Sequence, residues 1–275
     1  MSYFSLTTWS LHRSLGPLRM TQWNPETQEQ IIEEVPQPAN IELIALPAIA
    51  AERNFKAMDV CHFNFPSTSP QYLQQLRQAF ADADVTFYTL LVDYGDISSS
   101  DPVRRSSDIA YIKDWIDVAA TVGAERVRVV AGESAPSDTE GLKLAAAALS
   151  ELIDYATPKN VNIITENFKS LSSTPENCLY LYNACNEQLG LICDFGNFKS
   201  TQKYDELAQI LPFAESVHAK AHYDENGLPD APEFQRCLEL LPKAEYDGPI
   251  TIVFDGAGDE WEGITRVQNI VENYL

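Results

Sequence analysis

Basic residues are scarce in this 275-residue chain: 19 Lys and Arg stand against 40 Asp and Glu, a formal charge of −21. Lys and Arg do not cluster anywhere, and a duplex-binding protein needs such clusters to displace counterions from phosphates. Nucleic acid is therefore excluded as a partner, and an acidic membrane surface is disfavoured for the same reason. The charge itself reads as solubility. Cysteine is also sparse. Cys61, Cys178, Cys185, Cys193 and Cys237 are odd in number and scattered, and none forms a C-x-x-C pair. Neither a zinc knuckle nor a disulfide framework is indicated, and a reduced cytoplasmic setting is expected.

Long apolar runs are missing too. No stretch of about 18 apolar residues offers a spanning helix. The opening MSYFSLTTWSLHR lacks the charged start and apolar run of a secretory signal. Neither G-x-G-x-x-G nor G-x-x-x-x-G-K-[ST] occurs, so no phosphate-cradling loop is visible. No linker-like stretch divides the chain, and residues 1–275 are expected to form one domain.

What the chain does have is 45% hydrophobic residues, arranged as short apolar runs that alternate with longer helical patterns. The runs predict strands at Tyr3–Ser10, Asn40–Leu46, Val85–Asp93, Arg126–Ala131, Asn162–Glu166, Leu191–Asp194, Ser216–Lys220 and Pro249–Asp255. Helices are predicted between them. Ile109, Ile112, Ile116, Ala119 and Val122 recur at helical spacing before Gly123, a C-cap residue. A second apolar face runs through Leu142, Leu149, Leu152, Ile153 and Ala156, and Thr174-Pro175 opens a third helix. Eight strands alternating with helices predict an α/β fold of the (β/α)8 TIM barrel type. A doubly wound sheet is the rival, because alternation alone does not establish closure. The segment MDVCHF, after the second predicted strand, reads as a strand extension inside a long loop.

Acids and histidines sit at the strand ends. The fifth strand ends at Glu166, the sixth at Asp194, the seventh carries His218, and the eighth ends at Asp255. Barrel enzymes build their sites at the carboxyl ends of their strands. One acid after a strand is more often a turn or cap residue, but four successive strands make a constellation. Three carboxylates and a neutral imidazole at one mouth would repel each other without a cation. A divalent metal resolves this, and oxygen-rich ligation with one nitrogen suits Mn²⁺, Mg²⁺ or Co²⁺, with Zn²⁺ less favoured.

The order ITENF, CDFGNF, VHAKAHYDENG and YDGPITIVFDG, with LLVDYGD, IKDWIDVAATVGAERVRVVAGE and TTWSLHRSLG upstream, resembles one known family. This is the sugar phosphate isomerase/epimerase group of xylose isomerase-like TIM barrels, and the likeness covers nearly the whole chain. It implies metal ligation by Glu166, Asp194, His218 and Asp255, where relatives usually carry Glu at the last position. A shorter acid withdraws the carboxylate by about 1.5 Å, and misplacing a catalytic group by about 1 Å can cost roughly 10²-fold.

The activity implied is proton abstraction beside a sugar carbonyl through an enediolate, with Glu166 and Asp255 as bases on the two faces. That is isomerase or epimerase chemistry on a small sugar or polyol. The alternatives are a dehydratase of the inosose or dehydroshikimate kind, and a degenerate barrel that only binds carbohydrate. The apurinic-site endonucleases of the same superfamily use several zincs and many histidines, whereas this chain has four histidines.

Lys220, His222, His62, Arg128, Trp9 and His12 are candidates to contact the sugar, each with an ordinary packing or solvated role as the alternative. One of the alternating Arg126 and Arg128 should face the barrel interior. Asn167 and Asn197 are candidates to orient the ligands. The sugar, the ion and the oligomeric state, a homo-oligomer included, are left open.

Overall fold

A computed structural model describes residues 2–275. Eight strands close into an all-parallel barrel: β1 (Tyr3–Thr7), β4 (Ala57–Cys61), β5 (Thr86–Val92), β6 (Arg126–Val129), β7 (Asn162–Glu166), β8 (Gly190–Asp194), β9 (Ser216–Lys220) and β10 (Pro249–Val253). Each pairs with its neighbour in chain order, and β10 returns to β1. An antiparallel hairpin, β2 (Leu18–Asn24) with β3 (Glu29–Val35), is inserted after β1. The helices α1 (Leu46–Glu52), α2 (Pro70–Ala83), α3 (Pro102–Val122), α4 (Thr139–Ala156), α5 (Pro175–Ala184), α6 (Lys203–Ile210), α7 (Ala231–Leu238), α8 (Leu240–Lys243) and α9 (Glu260–Val271) occupy the connections.

Local chemistry explains the helix bounds. The Asp101 side chain accepts from Val103 N–H ahead of Pro102, and Gly123 ends α3 in the left-handed conformation at φ 80°. Thr174 caps α5 in the same way, with Pro175 in the first turn. Ile112, Ile116, Ala119 and Val122 are buried on one face of α3, as their spacing requires. The five cysteines are buried and unpaired.

The second barrel strand is not where the apolar pattern placed it. Residues 40–46 form no strand; Leu43–Ala45 is a 3₁₀ turn that runs into α1. Leu43, Leu46 and Ala50 are buried at helical spacing, and Pro47 sits in the first turn, where its missing N–H costs nothing. The strand is instead Ala57–Cys61, buried at all five positions. Asp59 interrupts its apolar run because that side chain points into the barrel. The hairpin was not anticipated either. Its inner strand supplies Leu18 to a small cluster with Cys61, Phe63, Leu91, Ile164 and Ile192, against which Trp9 and Met20 pack. The first and last strands are shorter than expected: β1 gives way to a 3₁₀ turn over Thr8–Leu11, and β10 ends at Val253.

Candidate active site

The carboxyl ends of the strands surround a cavity of about 230 Å³. Its lining includes Arg128 from β6, Glu166 from β7, Asp194 from β8, and His218 and Lys220 from β9. Alternation places each there. On β9, His218 and Lys220 are two residues apart and share a face, and the register sets Asp194 beside His218.

Glu166, Asp194 and His218 form a group whose ligating atoms all lie within 4.8 Å of one another, and all three are buried. His218 Nδ1 is 3.7 Å from both Glu166 Oε1 and Asp194 Oδ2. Its Nε2 is 3.2 Å from Asp59 Oδ2, which also accepts from the Thr251 hydroxyl at 2.9 Å. Burial alone would lower the imidazole's pKa; contacts with Asp194 and Asp59 outweigh it and hold the pKa above its ordinary value. Burial raises the Glu166 carboxyl, while Arg128 and His218 pull it back down. The Arg128 guanidinium lies between Glu166, at 3.3 Å from Oε2, and Asp93.

The two asparagines orient the acids. Asn197 Nδ2 donates to Glu166 Oε1 at 3.1 Å. Asn167 brackets the Asp194 backbone, donating to its carbonyl at 3.0 Å and accepting from its N–H at 2.7 Å. Two carboxylates and an imidazole, with a further carboxylate behind the imidazole, are a donor set that fits a divalent ion. The Asp59 contact is the kind that fixes the ring of a ligating histidine. Among the described residues Asp59 Oδ1 is buried without a hydrogen-bond partner.

Asp255 does not join this set. β10 alternates so that Thr251 lies level with His218 and Val253 level with Lys220. Val253 lines the cavity. Asp255 lies two residues beyond the strand and pairs with Lys220, Nζ to Oδ2 at 2.7 Å. Burial opposes the charge on Lys220, but Asp194 and Asp255 outweigh it and raise its pKa.

The remaining expected residues separate. Trp9 lines the cavity. His12 does not; it stacks behind Trp9 with ring centroids 4.3 Å apart and donates to the Trp9 carbonyl. His62 is buried outside the barrel against Tyr111 and Trp115 of α3. Its Nδ1 accepts from Asp93 N–H at 3.2 Å, because it lies one residue past β4 in a turn that carries the ring outward. His222 is half-exposed, 3.9 Å from the Glu233 carboxylate. Arg126 faces away and pairs with Glu125 and Glu215, leaving Arg128 as the interior member of that pair. Asp59 and Asp93 went unnoticed in the sequence. An acid inside the apolar run AMDVC marks the first, and the strand-end rule that found Glu166 also marks the second.

A closed parallel barrel with its polar side chains gathered at the carboxyl ends of the strands is the architecture of the (β/α)8 enzymes. The chain belongs to the xylose isomerase-like TIM barrel family, whose model matches residues 47–267. Among solved structures it is similar to the IolI protein with a bound zinc atom, at 15% identity over 99% of each chain and a TM-score of 0.72. It is also similar to D-allulose 3-epimerase from Methylomonas sp., at 16% identity over 99% of this chain and 98% of that one, with a TM-score of 0.71. A xylose isomerase-like protein from Mycobacterium smegmatis in complex with magnesium covers 98% of this chain and 95% of its own, at 15% identity and a TM-score of 0.66. No curated protein sequence matches the chain. At these identities the likeness establishes the fold. Among the described residues no helix is long and apolar enough to cross a membrane.

Proposed function

We propose that the protein is a divalent-metal-dependent isomerase acting on a small sugar or sugar derivative. The observation that carries this is the convergence of Glu166, Asp194 and His218 on one side of a cavity whose other side is apolar. The cavity, at about 230 Å³, lies below the roughly 300–1,000 Å³ typical of drug-sized ligands. That size favours a single sugar over a longer saccharide.

Glu166, Asp194 and His218 would hold the ion. Bound there, it would supply Lewis-acid stabilisation of the charge that builds on a carbonyl oxygen when the neighbouring carbon loses its proton. Glu166 is the base for that proton: burial raises its carboxyl and so makes the carboxylate a better proton acceptor, while Arg128 and His218 oppose that rise. Asn197 fixes the carboxylate's orientation. Trp9 offers an aromatic face for the C–H side of a sugar.

Epimerisation at one carbon needs a base on each face, whereas aldose–ketose isomerisation relays a proton along one face. Asp255, the expected second base, is tied to Lys220 outside the cavity lining, and Val253 holds the inward place. A single base supports isomerisation.

The test is solvent exchange. With Mn²⁺ added, incubation with pentoses and hexoses in D₂O is expected to place deuterium beside the carbonyl. Glu166→Gln should lower the exchange rate by about 10²- to 10⁴-fold, the usual contribution of a positioned base. Exchange that survives in Glu166→Gln removes that residue as the base. Loss of water from the substrate would assign a dehydratase instead, and absence of any Mn²⁺-induced thermal stabilisation would remove the metal set.

A further inference from the structure

Lys220 is more elaborately seated than a lysine at a strand end requires. Its Nζ is held by Asp255 Oδ2 at 2.7 Å, and the side chain is only 26% exposed. Its stem crosses Gly196, the second residue after β8. A Cβ placed on Gly196 would lie 2.8 Å from Lys220 Cδ and 2.9 Å from Cγ, so the glycine is the track along which the stem runs. The head therefore arrives at the cavity from a fixed direction, level with Val253 on the neighbouring strand. An ammonium has three donors, and Asp255 accepts one. On β10 the inward residue beside it is apolar, so the remaining donors find no acceptor there.

We propose that Lys220 contacts the substrate: its ammonium, aligned by Asp255 and by the space over Gly196, binds the oxygen that becomes anionic during proton abstraction. This rests on the isomerase reading and adds a second cation to it, on the side where a fourth ligand was expected. Preorganised donors aimed at developing charge are a large source of catalysis because they need no reorganisation during the reaction. Lys220 meets that description through two positioning residues, neither of which touches the substrate. The pairing also gives Asp255 its role: as an acid of the loop after β10, it fixes a cation in place.

The probe is an aldonohydroxamate, an anionic mimic of an enediolate, titrated into the full-length protein with and without Mn²⁺; Mn²⁺ affinity is measured separately. Lys220→Met is expected to weaken the hydroxamate by about 10- to 100-fold, the range for a hydrogen bond to a charged group, with Mn²⁺ affinity unchanged. Lys220→Arg should recover most of the loss. Asp255→Asn and Gly196→Ala, which release or displace the head, should each weaken the hydroxamate by about 3- to 10-fold and raise KM for the neutral sugar less than they lower kcat. If Lys220→Met binds the hydroxamate as tightly as wild type while retaining Mn²⁺, the proposal is overturned and the metal set stands. If the wild type binds no Mn²⁺, the metal reading fails, and the same comparison on the metal-free protein decides the lysine: a weakened Lys220→Met upholds it, and equal affinities overturn it.

Discussion

The two sides of the barrel mouth are built from the same strand-and-loop repeat yet carry opposite chemistry. From β6 to β9 the inward residues are Arg128, Glu166, Asp194, His218 and Lys220; from β10 through β1, β4 and the hairpin they are Val253, Thr7, Trp9, Cys61 and Met20. The polar side gathers charge that is mutually compensated, and the apolar side bounds the same small volume with side chains that offer it few hydrogen bonds. Two buried histidines make the contrast sharp. His218, on the polar side, is held above its ordinary pKa by Asp194 and Asp59 against the effect of burial. His62, behind the apolar side, is lowered by burial to about 4. The same residue type sits among carboxylates in one wall and packs against aromatic rings in the other.

Charging His62 should break the apolar side from behind. Its folded pKa lies below the unfolded value of 6.5, so the unfolded chain takes up a proton that the folded chain resists. Stability from this group is complete above pH 6.5 and is lost as the pH falls toward 4 and below. The loss at pH 4 should be about 3 kcal/mol, from 1.36 kcal/mol per pKa unit. His62→Gln keeps an acceptor for the Asp93 N–H but does not titrate. Urea denaturation at pH 7 and pH 4 should show a stability difference smaller by that amount in the variant. Equal differences would mean that the ring already accepts a proton in the folded state.

A smaller effect is expected from moving a carboxylate across the divide. Val253 is 3% exposed and level with Lys220. Val253→Glu would place an acid on the apolar side, at the inward position of β10. Without metal it should cost about 1–3 kcal/mol, the range for burying an imperfectly paired polar group. With Mn²⁺ a third carboxylate, as a fourth ligand beside Glu166, Asp194 and His218, should recover that loss, so the rise in Tm on adding the ion should exceed that of the wild type. Identical Mn²⁺-induced shifts in the two proteins would show that β10 does not face the ion.

The difference between the two walls also explains what could be read from the sequence. The polar wall was legible because charged residues at the ends of apolar runs are conspicuous. β7 and β9 have the predicted bounds, and Glu166, Asp194 and His218 come together. The same rule also picked out Asp255, which lies two residues past β10 and pairs with Lys220, while Val253 lines the cavity. The apolar wall was largely illegible. Met20 and Phe63 are unremarkable apolar residues whose place depends on a hairpin and a turn that local pattern does not announce. NIELIAL fits both a strand and a helix, and only the burial of Leu43, Leu46 and Ala50 on one side decides it. Asp59 hid the true second strand, since an acid in AMDVC argues against a buried strand until the barrel interior supplies His218 and Thr251 as its partners.

The smallest expected effect sharpens the comparison most, because it concerns binding alone. Trp9 presents its ring to the cavity with His12 stacked behind it and Phe63 edge-on at 6.0 Å. It carries no charge and reaches no acid of the metal set, so its contribution to a sugar should be the same in the ground state and the transition state. Trp9→Leu should therefore raise KM by about 2- to 13-fold, equivalent to the 0.5–1.5 kcal/mol of an aromatic contact, and leave kcat within twofold. Uniform binding of this kind moves KM and not kcat. A fall in kcat at constant KM would instead place Trp9 with the residues that act on the reacting atoms, and the division of labour between the two walls would fail at that position.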